Sequence, residues 1–251
     1  PDFDPNKPAK VSDDSKFNRA TLGLYEMGST FKSFTMAAGL EYGVVNMKSG
    51  YDATNSFKVA TFTISDSHGK KRWLTVPEIY AYSSNIGTAK MALDIGAKQQ
   101  KEFLKKMGMF KPIDIEIPEK ANPQFPQEWK EINTVTISYG HGISVTPLHL
   151  VQGIATLVNG GMHERLTLLK DGNKGKEAKE RVISEQTSKN IRRLMRLVVD
   201  HGTGGKADVA GYRVGGKTGT AEKVQTGGRY NPDAKIASFV SVFPVDSPKY
   251  L

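Results

Sequence analysis

The segment over residues 29–42 constrains the fold of this chain most, because it is apolar on almost every side. Its pattern predicts a helix that ends at Gly43. The apolar side chains of this helix are Phe31, Phe34, Met36, Ala37, Ala38 and Leu40. A helix that is hydrophobic all round is buried in a core. Other elements therefore have to surround this helix, and 251 residues are enough to bury a sizeable core.

The rest of the chain has helical patterns in its middle and strand patterns towards its end. Helices are predicted from residue 77 to residue 93, with an interruption at 83–85, and over 98–107, 146–159 and 185–200. Strands are predicted over 58–64, 212–220 and 236–243. The last two strands are joined by a loop that contains Gly227 and Gly228. Helices and strands segregated in this way indicate an α+β fold.

Composition and charge argue against several classes of function. The formal net charge is +9, but the basic residues do not alternate with aromatic residues. Many of them lie between Arg165 and Arg196, in a Lys/Gly-rich loop and a helix, which favours a solvated surface over a nucleic-acid interface. The chain has no cysteine and its histidines are far apart, so neither a disulfide nor a metal site is predicted. No apolar stretch approaches the roughly 20 residues of a membrane helix.

A serine three residues before a lysine, S-x-x-K, occurs twice. Ser67 and Lys70 lie in a polar turn with Gly69, where nothing removes the lysine from water. Ser29 and Lys32 instead open the buried helix and share one of its faces. Burial favours the neutral amine of a lysine, which can accept a proton from a hydroxyl group. Ser29 is therefore a candidate nucleophile with Lys32 as its base; the alternative is a helix cap with a lysine that reaches solvent.

The S-x-N motif also occurs twice. Ser188 and Asn190 fall in the first turns of an amphipathic helix, where they are predicted to be surface residues. Ser83 and Asn85 lie at the break between two apolar helical segments. Such an elbow can direct both side chains into a cleft. The alternative is a simple helix cap, since serine and asparagine are both good capping residues.

The K-[ST]-G motif occurs at 48–50, in a predicted loop, and at 217–219, on a predicted strand flanked by glycines. Glycine in a strand allows a ligand to approach the main chain closely. Lys217 and the hydroxyl groups of Thr218 and Thr220 can then hold a carboxylate.

Residues 211–218 also match the phosphate-binding loop G-x-x-x-x-G-K-[ST]. That motif requires a helix directly after it, so that the helix N-terminus faces the phosphate. Gly219, Gly227 and Gly228 follow here, and they favour a hairpin. A nucleotide-binding protein is therefore a remote alternative.

The three motifs S-x-x-K, S-x-N and K-T-G occur in this order in penicillin-binding proteins and class A β-lactamases. The sequence around these motifs resembles class B penicillin-binding proteins of the division-specific FtsI type. The similar stretches are DFDPN at 2–6, YEMGSTFK at 25–32, SSNIGTAKMA at 83–92, TVTISYGHGISVTPLHL at 134–150 and GYRVGGKTGTAEKV at 211–224. The resemblance covers nearly the whole chain and is weakest at 171–179.

This resemblance implies the transpeptidase fold that penicillin-binding proteins share with serine β-lactamases. In that fold an antiparallel sheet is packed by helices and accompanied by a helical subdomain. Residues 1–251 are then expected to be one fragment of a transpeptidase domain. The membrane anchor, the N-terminal pedestal, the first strands and the final strand and helix are expected to lie outside it, which leaves the sheet incomplete.

The resemblance also implies a peptidoglycan D,D-transpeptidase. Ser29 is then expected to attack the bond between the two terminal D-alanines of a stem peptide, with Lys32 as general base. Ser83 passes the proton to the leaving D-alanine, and Asn85 positions Lys32 and the substrate amide. Lys217 supplies positive charge.

The remaining expected site residues bind the substrate or the β-lactam that imitates it. Thr218, Gly219 and Thr220 lie along the substrate, and the two hydroxyl groups bind its terminal carboxylate. The main-chain N–H groups of Ser29 and Thr220 are expected to form the oxyanion hole, a large contribution in acyl transfer.

By the same resemblance, the partners are peptidoglycan stem peptides, β-lactam antibiotics, and a membrane glycosyltransferase with divisome proteins bound mostly outside this chain. No cofactor, metal or nucleic acid is implied. The full-length protein is expected at the periplasmic face of the bacterial inner membrane.

Two alternatives have the same fold. One is a serine β-lactamase, and the other is a β-lactam sensor or scaffold without catalysis. A β-lactamase needs a deacylating base, and no glutamate lies in a motif that assigns it this role.

Overall fold

The computed structural model describes residues 3–4, 6–170, 180–224 and 230–251. The α-helices in these ranges are α1 Asp13–Lys16, α2 Lys32–Glu41, α3 Val76–Ala81, α4 Asn85–Ile95, α5 Ala97–Lys106, α6 Glu131–Ser138, α7 Pro147–Val158 and α8 Glu185–His201. The strands are β1 Gly50–Asp52, β2 Phe57–Val59, β3 Phe62–Ile64, β4 Trp73–Thr75, β5 Met162–His163, β6 Glu180–Arg181, β7 Gly215–Val224 and β8 Tyr230–Val242. The strands pair antiparallel as β1–β4, β2–β3, β5–β6 and β7–β8.

Helix α2 lies at the centre of the core, as its apolar sequence predicts. Its residues from Lys32 to Gly39 are all buried, and it contacts helices α3 to α8. The helix begins later than predicted, because Gly28–Phe31 form a 3₁₀ turn and the α-helix starts at Lys32. Such turns are common at the ends of α-helices. Ser29 therefore lies in the tighter turn and Lys32 in the first position of the helix.

The predicted break between two helices is confirmed. Helix α3 begins with a capping box between Thr75 and Glu78, and Ser84 caps α4 by accepting a hydrogen bond from Gly87 N. Ser83 lies between the two helices with a φ of 60°, in the left-handed region that is unusual for a residue other than glycine. The helices predicted over 98–107, 146–159 and 185–200 correspond to α5, α7 and α8.

Some predictions of strands and helices were wrong. The single strand predicted over 58–64 is the hairpin β2–β3, which turns at Ala60 with a φ of 52°. Helix α6 was not predicted, because its β-branched sequence EINTVTIS favours a strand. Val135 and Ile137 are nevertheless fully buried, and α6 packs against α4. Here tertiary packing overrides local propensity.

Two of the rejected motif copies also differ from their predicted surroundings. Ser188 is not a surface residue but fully buried, and its Oγ is satisfied there by a hydrogen bond from Gly160 N at 3.0 Å. Gly50, predicted to lie in a loop, begins β1 and pairs with Thr75. Both residues have structural roles that a short motif does not reveal.

The hairpin β7–β8 carries the K-T-G motif. The predicted strands 212–220 and 236–243 are present with shifted ends, because β7 runs over Gly215–Val224 and β8 over Tyr230–Val242, and Thr218 pairs with Phe239. Strand β7 packs on α8 and on the 3₁₀ turn. The predicted loop at Gly227 and Gly228 and the Lys/Gly-rich segment 171–179 lie outside the described residues. No helix within the described ranges has both the length and the apolar character of a membrane span.

Three main-chain segments meet at Gly28, directly before Ser29. Gly28 N donates to Gly140 O at 3.2 Å, and both glycines have positive φ. A Cβ at Gly28 would lie 2.3 Å from Thr220 O, and a Cβ at Gly140 would lie 2.1 Å from Gly28 O. The 3₁₀ turn is therefore held between the loop after α6 and strand β7, with no space for a side chain on either glycine.

We predict that Gly140→Ala lowers the free energy of unfolding by about 2–4 kcal/mol, from a left-handed backbone and a clash with Gly28. Gly43→Ala is the control, because Gly43 has a φ of 70° but nothing lies within 4 Å of its Cβ position. It should cost only about 1–2 kcal/mol. Urea unfolding of both variants measures the difference, and equal costs would contradict the role given to close packing.

Candidate active site

Residues from all three motifs meet at the hydroxyl group of Ser83. Its Oγ lies 3.1 Å from Lys32 Nζ and 3.0 Å from Lys217 Nζ. Lys32 Nζ also donates to Asn85 Oδ1 at 2.7 Å and to the main-chain carbonyl of Ser83. The structure thus brings together Lys32, Ser83, Asn85 and Lys217, which are distant in sequence and which the three motifs predict to share one site.

Ser29 lies beside this cluster but does not bond to it. Its side chain is half-buried, and within the described part of the chain its Oγ has no hydrogen bond. The predicted contact between Ser29 and Lys32 is therefore not formed here. Catalytic hydrogen bonds often tighten only when substrate is bound. The role of Ser29 as nucleophile stays a prediction.

Lys32 is in an environment that favours its uncharged form. Its side chain is fully buried, and this burial lowers the pKa of the amine well below its usual value. The neighbouring Lys217 lowers the pKa further, whereas the carboxylate of Asp66 raises it. The net direction is downward, as the sequence predicted for an amine able to accept a proton.

Lys217 is also fully buried, and burial lowers its pKa to about 7. Two buried amines on one hydroxyl group titrate as a coupled pair. Near neutral pH the pair can therefore hold one positive charge and one lone pair at the same time.

Asp66 positions the elbow that carries Ser83, and sequence reasoning did not find it. Its carboxylate accepts hydrogen bonds from Ser84 Oγ at 2.8 Å, Asn85 N at 2.6 Å and Ile86 N at 3.0 Å. A carboxylate at a helix N-terminus satisfies free N–H groups and the helix dipole. Asp66 precedes Ser84 by 18 residues, in a polar turn. No local pattern links the two positions.

The predicted substrate strand lies along the same cluster. Gly219 packs closely on the S-x-x-K turn, because a Cβ there would lie 2.8 Å from Met27 O. Thr220 is exposed. Thr218 Oγ1 lies 2.6 Å from the hydroxyl group of Thr203, a residue after α8 that was not predicted. The strand therefore offers hydroxyl groups on the open side and glycine on the packed side.

The remaining alternatives for these motifs do not form sites. Lys70 is exposed and lies 4.7 Å from the centre of the Tyr82 ring, so water still reaches its amine. Residues Gly215–Val224 continue through the K-T-G motif as a strand. The helix that a phosphate-binding loop requires after Thr218 is therefore absent from residues 219–224, which the structure describes.

Comparison with known proteins identifies the family. Residues 1–251 match the penicillin binding protein transpeptidase domain. The chain belongs to this family. The probable peptidoglycan D,D-transpeptidase FtsI of Caulobacter vibrioides is 41% identical over 252 residues, which are 99% of this chain and 43% of that protein. Peptidoglycan D,D-transpeptidase FtsI of Escherichia coli is 30% identical over 253 residues, 100% of this chain and 42% of that protein.

Solved structures of the family agree with the predicted α+β fold. The apo transpeptidase domain of Burkholderia pseudomallei penicillin-binding protein 3 has a TM-score of 0.87 at 31% identity, over 93% of this chain and 71% of that one. Penicillin-binding protein 3 of Mycobacterium tuberculosis, complexed with aztreonam, has a TM-score of 0.86 at 26% identity, over 98% of this chain and 60% of that one. The chain spans less than half the length of its curated FtsI relatives.

The buried lysines predict a pH dependence of stability. Because the pKa of Lys217 is lower in the folded chain than in the unfolded chain, the unfolded chain binds more protons between the two values. The free energy of unfolding should then rise with pH by about 1.4 kcal/mol per unit for this group, between about pH 7.5 and 9.5. Lys217→Met should lose that part of the rise.

Urea unfolding at several pH values measures both slopes. Lys98→Met is the control, since it removes an exposed lysine. If the free energy of unfolding has the same pH slope in Lys217→Met and in the unmodified chain, folding does not lower the pKa of Lys217.

Proposed function

We propose that this chain carries the catalytic site of a peptidoglycan D,D-transpeptidase that cross-links stem peptides in septal wall synthesis. The observation that carries the proposal is the meeting of Lys32, Asn85 and Lys217 at the Ser83 hydroxyl group, beside a half-buried Ser29. The similarity to FtsI of Caulobacter vibrioides and of Escherichia coli, a probable and a named peptidoglycan D,D-transpeptidase, supports it.

In the proposed reaction, Ser29 Oγ attacks the carbonyl carbon between the two terminal D-alanines. Its proton passes to the neutral amine of Lys32, and the carbonyl becomes an oxyanion. The C–N bond then breaks, and the leaving D-alanine receives a proton through Ser83, which lies between both lysines. An amine of a neighbouring stem peptide then attacks the carbonyl carbon of the acyl-enzyme and forms the cross-link. The C–O bond to Ser29 breaks, and the proton lost by the amine returns to Ser29 Oγ through Lys32.

The surrounding groups fit the charges of this reaction. We propose that the main-chain N–H groups of Ser29 and Thr220 bind the oxyanion, because the Thr220 main chain lies against Gly28. Thr218 and Thr220 would hold the terminal carboxylate, near the positive charge of Lys217. Gly219 allows the substrate to lie along the strand.

The wider setting is also part of the proposal. Stem peptides are the proposed substrates and β-lactams the proposed inhibitors. The membrane glycosyltransferase and divisome proteins are proposed partners, bound mostly through regions outside this chain. The whole protein would work at the periplasmic face of the bacterial inner membrane. That residues 1–251 form one fragment of a transpeptidase domain stays a prediction.

The first test is the reaction of the chain with a penicillin. We expect mass spectrometry to find one covalent adduct on Ser29, because β-lactams resemble the donor peptide. Ser29→Ala should carry no adduct, whereas Ser67→Ala, which changes the exposed copy of the motif, should react normally. An adduct elsewhere would overturn the assignment of the nucleophile.

The lifetime of the adduct separates the transpeptidase from the β-lactamase. Since no deacylating base is assigned, the adduct should persist through a chase with unlabelled penicillin. Release within seconds would favour a β-lactamase. A sensor would form the adduct yet fail to cross-link stem peptides.

The second test concerns the base. Lys32→Arg should slow acylation of Ser29 by about 100- to 10,000-fold, because arginine stays protonated and cannot accept the serine proton. Lys70→Arg is the matched control and should react at the normal rate. Rapid acylation of Lys32→Arg would show that Lys32 is not the base.

A further inference from the structure

Tyr80 of α3 contacts two residues of the catalytic cluster, Ser83 and Lys217, although the proposed reaction gives it no role. Its side chain is fully buried, and its hydroxyl group lies 2.7 Å from Ser33 Oγ on α2. Its main-chain carbonyl accepts a hydrogen bond from Ser83 N at 3.2 Å. Its ring faces Lys217, whose Nζ lies 5.7 Å from the ring centre.

A positive charge on Lys217 would be only partly compensated by its hydrogen-bond partners, which are both uncharged. Its Nζ contacts the Ser83 hydroxyl group and the Thr218 carbonyl, and within the described residues no carboxylate forms an ion pair with it. A buried ammonium without a counter-ion is costly. The face of an aromatic ring attracts a cation at this distance, most strongly when both are removed from water.

We propose that Tyr80 is a positioning residue that keeps the positive charge of the active site on Lys217 rather than on Lys32. The ring gives Lys217 an electron-rich face, while the hydroxyl group is held by Ser33. Lys32 makes no such contact with a ring in the described part of the chain. Tyr80 thus distinguishes two buried lysines that share one serine hydroxyl group.

Burial lowers the pKa of both lysines. The acceptors on Lys32, which are Asn85 Oδ1 and the Ser83 carbonyl, on their own favour a charge on that amine. Asp66, before α4, acts on Lys32 and raises its pKa, which on its own would favour the opposite distribution of charge.

Helix α8 packs on β7 and brings one charged group to its start, where Arg196 donates to Val214 O at 2.8 Å and pairs with Asp200 and Asp208. The turn after α8 adds the neutral Thr203 hydroxyl group, at Thr218. The low pKa of Lys217, about 7, makes its protonation sensitive to a modest change in the ring.

The inference rests on the proposed acylation of Ser29, and the test separates the two. The rate of acylation by a fluorescent penicillin is measured from about pH 6 to about pH 9. Activity that requires a charged Lys217 declines as the pH rises through its pKa. In Tyr80→Leu this decline should move to lower pH by about one unit. Tyr80→Phe keeps the ring and should leave it in place.

The outcomes are distinct. A Tyr80→Leu variant that is slower at every pH, with an unmoved decline, would reduce Tyr80 to a packing residue. A shift to higher pH would mean that the cavity admits water, and it also overturns the proposal. An equal shift in Tyr80→Phe would assign the effect to the hydroxyl group. If the unmodified chain forms no adduct at Ser29, the proposed function itself fails.

A second series keeps the inference testable if Tyr80→Leu does not fold. Phenylalanines with one, two or three ring fluorines at position 80 withdraw electrons from the ring face at nearly constant shape. Each fluorine should move the decline further towards low pH, as expected for a cation held by a ring. A decline independent of fluorination would overturn the proposal.

Discussion

The candidate active site depends on the burial of two lysine side chains against one serine hydroxyl group. Lys32 and Lys217 are both removed from water, and Ser83 lies about 3 Å from each amine. Two full charges in such a place would repel strongly, since the interior screens them far less than water does. Shared protonation relieves this repulsion. The same arrangement lowers the pKa of both amines, so that near neutral pH one can be uncharged while the other carries a charge, which neither lysine would do on the surface.

The surrounding fold holds this arrangement in place by main-chain packing and one carboxylate. Gly28 and Gly140 allow the turn with Ser29 to lie directly against strand β7. Asp66 ties the first residues of α4 together, so that Asn85 keeps its side chain on Lys32. Helix α2 brings Lys32 into the core because its apolar faces must be buried. The positions of the reactive groups thus follow from packing that contains no reactive group itself.

The sequence predicted the reactive side chains better than their supports. Lys32 and Lys217 stood out because each lay in an apolar or glycine-rich segment that fits a buried element. The positions of the helices flanking Ser83 followed from periodicity and capping. Asp66, Thr203 and Tyr80 did not stand out, because their contacts are made across the fold and leave no local pattern. Helix α6 was missed for a related reason, since its β-branched residues are helical only when packed on α4.

The left-handed backbone of Ser83 has an energetic cost, but it also places two polar groups of this residue on Lys32. That conformation lets the carbonyl and the hydroxyl group of one residue both approach Lys32. The left-handed conformation costs a residue with a Cβ about 1–2 kcal/mol of conformational free energy, a cost that glycine does not have. Glycine at this position would relieve the backbone but remove the hydroxyl group that both lysines contact. The same residue therefore carries a conformational cost and the polar group on which the proposed proton transfer depends.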